Sequence, residues 1–331
     1  MKKFKKILGY GFLVIVIVVA GFVLYLKYAL PNIPVQENVN VEITPERVAR
    51  GEYLANSVML CMDCHSQRDW NLFSGPPESG TRGKGGEVFD QEMGFPGKYY
   101  TPNITPAALS DWTDGELLRA ITSGVNKEGK ALFPVMPYPN YAKLDKEDIY
   151  SVIAYLRTIE PIEHTVPASK SDFPMSLIIH TIPKEPEFTK RPDKSDLLAY
   201  GEYMITAASC TDCHTPMKNG QFIMDMQYAG GMEFPLRTRG KVYSANLTPD
   251  KETGIGNWTA ESFVARFKVY ADSSYSPQEI HHGDFNSEMP WMMYSTMDEY
   301  DLKAIFAYLQ TLKPKSNKVT KFVPEQNSTI N

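Results

Sequence analysis

Cysteine, histidine and tryptophan are scarce in this sequence, at 4, 6 and 4 of 331 residues. All four cysteines sit in two close pairs, so no separate disulfide framework supports the fold, and stability must come from the 43% of residues that are hydrophobic. A basic block is also missing beyond the first six residues. With a formal net charge of −5 and a pI near 5.8, a nucleic-acid partner has no electrostatic footing. Only one hydrophobic run is long enough to span a bilayer. What the chain does have is 22 Gly and 24 Pro in a length that suits two domains, and hence room for long loops around real cores.

The single hydrophobic run lies at the N-terminus. Lys2, Lys3, Lys5 and Lys6 precede Ile7–Leu26, an uncharged stretch that as a helix would cover roughly 30 Å, the thickness of a bilayer core. A cleaved signal peptide has a shorter apolar region and a small-residue cleavage site, and no good site falls between Leu26 and Pro34. The expectation is therefore an uncleaved, single-pass anchor over residues 1–30. The lysines place its N-terminus in the cytoplasm and everything from Tyr28 onward outside.

The rest of the chain is an internal repeat. "GEYLANSVMLCMDCHS" returns as "GEYMITAASCTDCHTP", pairing Gly51, Tyr53, Cys61, Cys64 and His65 with Gly201, Tyr203, Cys210, Cys213 and His214. "GKYYTPNITP" returns as "GKVYSANLTP", and Trp112-Thr113 returns as Trp258-Thr259. "MPYPNYAKLDKEDIYSVIAYLRTIEP" aligns without a gap on "MPWMMYSTMDEYDLKAIFAYLQTLKP", with ten identities in 26 positions. The expected organisation is one domain over 31–161, a linker over 162–192, a second domain over 193–314 and a polar tail over 315–331. The linker carries one apolar patch, Phe173 to Ile179.

Helices are predicted at both ends of each copy. Thr44 is a candidate cap with Pro45 in the first helical position, and after Asp145 an apolar stripe runs through Ile149, Val152, Ile153 and Leu156. Leu302, Ile305, Phe306 and Leu309 repeat that stripe. Between these helices each copy has long loops rich in Gly, Pro and Asn, which suggests that a large prosthetic group fills the middle.

Residues three apart on a helical turn share a face, so Cys61 and Cys64 can bond the two vinyl groups of a haem while His65 faces the iron. The same holds for Cys210, Cys213 and His214. A thioredoxin-like redox pair gives the following histidine no role. One zinc bound by all four cysteines leaves two histidines idle, and a local disulfide explains neither the histidine nor the duplication. Two covalently bound haem c groups account for all of it. For the opposite side of each iron the repeat selects among 15 methionines. Met136 and Met289 coincide, each followed by Pro and an aromatic, whereas Met292, Met293 and Met297 fall opposite Pro139, Asn140 and Leu144. His/Met ligation leaves no open position on iron and suits electron transfer.

Taken together, the two CxxCH motifs, the "NITP"-like loops, the Trp-Thr pairs, the Met-Pro-aromatic turns and the closing "AYLRT" and "AYLQT" resemble class I cytochrome c domains. More narrowly, over residues 44–314 the chain resembles the haem c subunits of bacterial membrane-bound alcohol and aldehyde dehydrogenases. Those subunits commonly carry three such domains, and this chain has two. The resemblance implies all-α haem domains, a periplasmic location and passage of electrons to quinone or the respiratory chain. With the repeat and the N-terminal run, the expected fold is all-α, two tandem haem domains behind one transmembrane helix of the cytoplasmic membrane. The resemblance also implies a non-enzymatic relay of single electrons from a dehydrogenase or quinol-linked donor to a respiratory acceptor such as a terminal oxidase. A dihaem peroxidase, and an obligate subunit of a dehydrogenase or oxidase complex, are the alternatives; the paired Met-Pro turns speak against the first. In the class I fold the first and last helices cross at a glycine beside an aromatic, here Gly51 with Tyr155 and Gly201 with Tyr308.

Other residues invite roles. Trp112 and Trp258 either donate an indole hydrogen bond to a haem propionate or fill the pocket floor. Asn103 and Asn246 read as loop fasteners. Arg237 and Arg239 read as solvated loop charges rather than propionate partners, because the first copy has no arginine there, and His281 and His282 read as exposed.

Overall fold

The structure, a computed structural model, describes residues 2–237 and 240–325. Its first element is the helix Lys2–Tyr28, long and apolar enough to cross a membrane, with only Val23 and Leu26 half-buried along it. This helix touches the body at the short linker helix Met175–Ile178, where Phe173 and Ile178 are exposed.

Each copy opens and closes on a helix, and the two pack across each other. In the first copy these are Pro45–Tyr53 and Lys146–Leu156, in the second Leu197–Ala207 and Glu299–Thr311. Thr44 accepts a hydrogen bond from the Arg47 backbone N–H (3.3 Å) and Asp145 from that of Glu147 (3.0 Å), the caps that hold the first turns. The two predicted stripes are buried throughout. At the crossings the backbones nearly touch. A Cβ at Gly51 would lie 1.9 Å from the Ser151 carbonyl oxygen, and one at Gly201 2.0 Å from that of Ala304. Tyr155 and Tyr308 flank the two glycines, as the class I resemblance implies.

The first copy has one residue more than the second between this glycine and its first cysteine. The structure absorbs the extra residue as a π-helical turn, Leu54–Val58, closed by the Met59 N–H donating to the Leu54 carbonyl (2.7 Å). The molecule is helix-rich, but among the described residues its loops also carry three small antiparallel sheets that an all-α expectation omits. Their strands are two to four residues long, too short to reveal an alternating pattern in sequence. The sheets repeat the duplication. Gly97–Tyr100 pairs with the linker strand Lys170–Ser171, and Lys241–Tyr243 pairs with Phe322–Val323 of the tail.

The two copies meet through a reciprocal tyrosine exchange. The Tyr53 hydroxyl donates to Asp301 (2.7 Å) and accepts from the Asp298 N–H (3.0 Å); the Tyr203 hydroxyl donates to Asp148 (2.7 Å) and accepts from the Asp145 N–H (3.0 Å). Each tyrosine thus caps the start of the other copy's closing helix while satisfying a buried carboxylate.

Candidate functional site

Leu60 and Ser209 adopt the left-handed conformation (φ 56° and 54°), and this bend starts the short helices Cys61–Cys64 and Cys210–His214. No cysteine is in a disulfide. Burial pushes the Cys61 and Cys210 thiols up to about 12 and raises the Cys64 thiol as well. Cys213 keeps exposed surface on one side, yet the protein around it, with Asp212 and Glu288, also raises its thiol to about 12. Thiols held protonated this way do not match a redox-active CxxC pair, whose attacking cysteine is acidified. Nor do the four cysteines converge. Among the described residues no three His, Cys, Asp or Glu side chains gather to hold a metal ion, so the zinc reading finds no site.

The histidines that follow are built into identical cradles. The His65 ring pairs through Nδ1 with the Pro102 carbonyl (2.8 Å), and the His214 ring with that of Ala245 (2.7 Å). Both rings are buried, and burial lowers their proton affinity, so each is a neutral imidazole with its proton on Nδ1. The unprotonated Nε2 makes no hydrogen bond to any described residue. A carbonyl that fixes the tautomer in this way is the usual support behind a metal-bound imidazole. From behind, the Gly85 and Gly230 N–H groups donate to the carbonyls of His65 and His214, both at 2.8 Å. These glycines have φ +74° and +71°, and an added Cβ would come within about 2.5 Å of the Pro102 or Ala245 backbone, so no other residue fits there.

Met136 and Met289 are half-buried against the apolar core, as are Cys61 and Cys210. Each methionine carbonyl accepts from the N–H two residues on, from Tyr138 (2.7 Å) and Trp291 (2.8 Å), forming the tight Met-Pro turn. Met293 and Met297 are core filler. Sequence reasoning overlooked two tyrosines. The Tyr141 hydroxyl donates to the Met59 carbonyl (2.7 Å) and that of Tyr294 to the Ala208 carbonyl (2.6 Å), tying each Met-Pro turn to the segment entering the cysteine motif. Their coincidence in the gapless repeat was the available signal.

Other expectations sort differently. Asn103 donates to the Ile162 carbonyl (2.7 Å) and Asn246 to that of Lys315 (2.7 Å), while each side-chain oxygen accepts from the threonine two residues on, so both fasten loops. His281 and His282 are exposed. Trp112 packs on the core but Trp258 is 40% exposed, so the pair shares no single role. Arg237 keeps exposed surface but is not without a partner. It reaches into the first copy, to Glu87 (3.1 Å) and the Val88 carbonyl (2.9 Å), beside Trp70. Arg239 lies outside the described residues.

Thiols one helical turn apart, a neutral imidazole with a free Nε2 and apolar walls are the donor set that a c-type haem takes, and both copies supply it. The chain is 25% identical over 283 residues to the cytochrome c subunit of alcohol dehydrogenase (quinone) from Gluconacetobacter polyoxogenes, covering 81% of this chain and 56% of that protein. It is 26% identical over 294 residues to the gluconate 2-dehydrogenase cytochrome c subunit of Pantoea cypripedii, covering 84% and 62%. Both of these relatives are cytochrome c subunits. A diheme cytochrome c-type protein of Cereibacter sphaeroides is 26% identical over 261 residues, covering 76% of this chain and 81% of its own length. No family model matches the chain. It spans little more than half the length of the dehydrogenase cytochromes it matches.

Proposed function

We propose that this protein is a membrane-anchored dihaem cytochrome c that passes single electrons between a dehydrogenase and a respiratory acceptor. In this reading Cys61 and Cys64 attach one haem and Cys210 and Cys213 the other. His65 and His214 would supply the nitrogen ligands to the irons, and Met136 and Met289 the sulfur ligands. The observation that carries it is the duplicated histidine cradle: two buried neutral imidazoles, each held through Nδ1 by a loop carbonyl and each one residue past a pair of thiols. The haems supply one-electron chemistry; the chain supplies attachment, ligands and a dry surround that sets the potentials.

The dehydrogenase partner is proposed from the relatives, whose names make them subunits of alcohol, gluconate and fructose dehydrogenases. The anchor is the helix Lys2–Tyr28, with the haem domains in the periplasm. Phe173 and Ile178, exposed on the linker turn that packs on this helix, are surface that a bilayer would cover.

Purified oxidised protein should show the weak near-infrared sulfur-to-ferric band at an intensity for two haems, and Met136→Ala should remove about half of it. An unchanged band would sink the ligand assignment. Pull-down from detergent-solubilised membranes is expected to bring down a dehydrogenase catalytic subunit.

A further inference from the structure

After His65 the first copy sends an arm, Asp69–Gly75, onto the second copy's methionine loop. The Phe73 N–H donates to the Gln278 carbonyl (2.9 Å), and the Ile280 N–H to that of Asn71 (2.7 Å). At the tip, Ser74 is buried, with 2% of its surface exposed, and holds the left-handed conformation at φ 66°. Its N–H donates to Asn286 (2.8 Å). Its hydroxyl donates to the Met289 carbonyl (2.5 Å) and accepts from the Trp291 N–H (3.2 Å), so one oxygen spans the Met-Pro-Trp turn. A serine is kept in so unfavourable a conformation only where its surroundings over-determine it.

Those surroundings reach back to the first cysteine motif. Arg68, buried and paired with Asp63 (3.3 Å), donates to the carbonyls of Ser74 (3.0 Å) and Gly75 (2.8 Å). Asp63 stands between Cys61 and Cys64. Continuous polar contacts thus run from the first CxxCH motif to the backbone of Met289. The second copy returns a weaker contact: Asp212, between Cys210 and Cys213, accepts from Asn140 (2.9 Å) in the first copy's methionine loop, but among the described residues none of its side chains reaches the Met136 backbone. Its corresponding segment folds into an exposed hairpin, Met217–Lys218 with Gln221–Phe222, and among the described residues the Met136 carbonyl accepts only from Tyr138.

We propose that Ser74 is a positioning residue that, from the first copy, holds Met289 in place as a ligand of the second haem. The proposal rests on the ligand assignment made above. A thioether is a weak, neutral ligand that added imidazole competes with, so its hold on iron depends on how firmly its loop is fixed. The hydroxyl stiffens the loop of Met289 at the ligand's own carbonyl, and among the described residues no side chain does so for Met136.

The test uses the full-length holoprotein and titrates imidazole against the near-infrared band. The Met136→Ala background isolates the second haem's band, and Met289→Ala isolates the first. Ser74→Ala is expected to let imidazole displace the second haem's methionine at roughly tenfold lower concentration, which corresponds to about 1.4 kcal/mol for losing the hydroxyl's two hydrogen bonds, one of whose donors, the Trp291 N–H, keeps the Met289 carbonyl. The first haem's titration should not move. Ser74→Gly, which accepts the left-handed conformation without strain, should behave the same way, separating the hydroxyl from the backbone and covering the case in which Ser74→Ala misfolds. If Met289→Ala leaves the band whole, the ligand assignment falls and takes this proposal with it. If Met289→Ala removes about half the band but the Ser74 variants titrate like wild type, or shift both haems equally, only the role of Ser74 is overturned.

Discussion

The two copies share a histidine cradle in every contact but differ in what surrounds it. The first enters its cysteine motif through a π-helical turn and the second through continuous α-helix. The first copy's methionine loop is tied to its neighbour through Asn140 and Asp212, whereas the second's is gripped at the Met289 backbone by an arm from the first copy. The buried carboxylates also differ. Asp148 pairs with Arg50 and Arg191 as well as Tyr203, while Asp301 has Tyr53, Tyr200 and a mostly exposed Lys194 at 3.5 Å. Duplication has preserved the geometry that chemistry needs and let the supports diverge. On the proposed assignment, two haems with the same ligand types would sit in surroundings of different rigidity and charge, the levers that separate two potentials.

The comparison can be attacked first where the copies are most alike. Gly51→Ala and Gly201→Ala each drive a Cβ into the backbone of the closing helix, and each should cost about 3 kcal/mol or more by chemical denaturation. A marked inequality would show that the crossings are not equivalent.

The tyrosine exchange should give a smaller and uneven effect. Tyr53→Phe and Tyr203→Phe each remove a hydrogen bond to a buried carboxylate, worth roughly 1.5–3 kcal/mol. Tyr53→Phe should sit at the upper end, because Asp301 keeps only Tyr200 and Lys194, whereas Asp148 keeps two arginines. The reverse order in thermal melts would overturn this account of the asymmetry.

Acid should expose the same difference. Burial alone would raise the Asp148 carboxyl, but the hydrogen bond and charge of Arg50, helped by Tyr203 and Arg191, hold it below the usual carboxylate range. A group depressed on folding contributes stability that is present above its unfolded value, about 4, and is lost as pH falls through the folded one. Wild type should therefore lose melting temperature relative to Asp148→Asn below about pH 4. Parallel curves would refute the contribution. The smallest effect is expected for Arg237→Ala. Its side chain is 39% exposed, so its loss should cost under about 1 kcal/mol in stability despite the ion pair with Glu87.

Much of this was legible in the sequence because a duplicated chain annotates itself. The coincidence of Gly51 with Gly201 and of the CxxCH motifs singled out residues that spacing alone left ambiguous, and the closing stripes fell where helical periodicity put them. Tyr53 and Tyr203 were visible as repeated positions, yet their role was hidden because each acts on the opposite copy. The partner of Arg237 was hidden for the same reason. Comparing a residue only with its counterpart cannot reveal that its partner lies in the other half.

By itself the sequence determined the cysteine–histidine motifs, the two-copy plan, the crossing glycines and the apolar N-terminal helix, because each depends on local spacing or on a repeat of it. Only the tertiary structure decided which nitrogen of each histidine is left free, how one extra residue is absorbed, and that Ser74 reaches Met289. Those outcomes depend on where loops distant in sequence come to rest, and short hydrogen bonds between such loops leave no periodic trace in the chain.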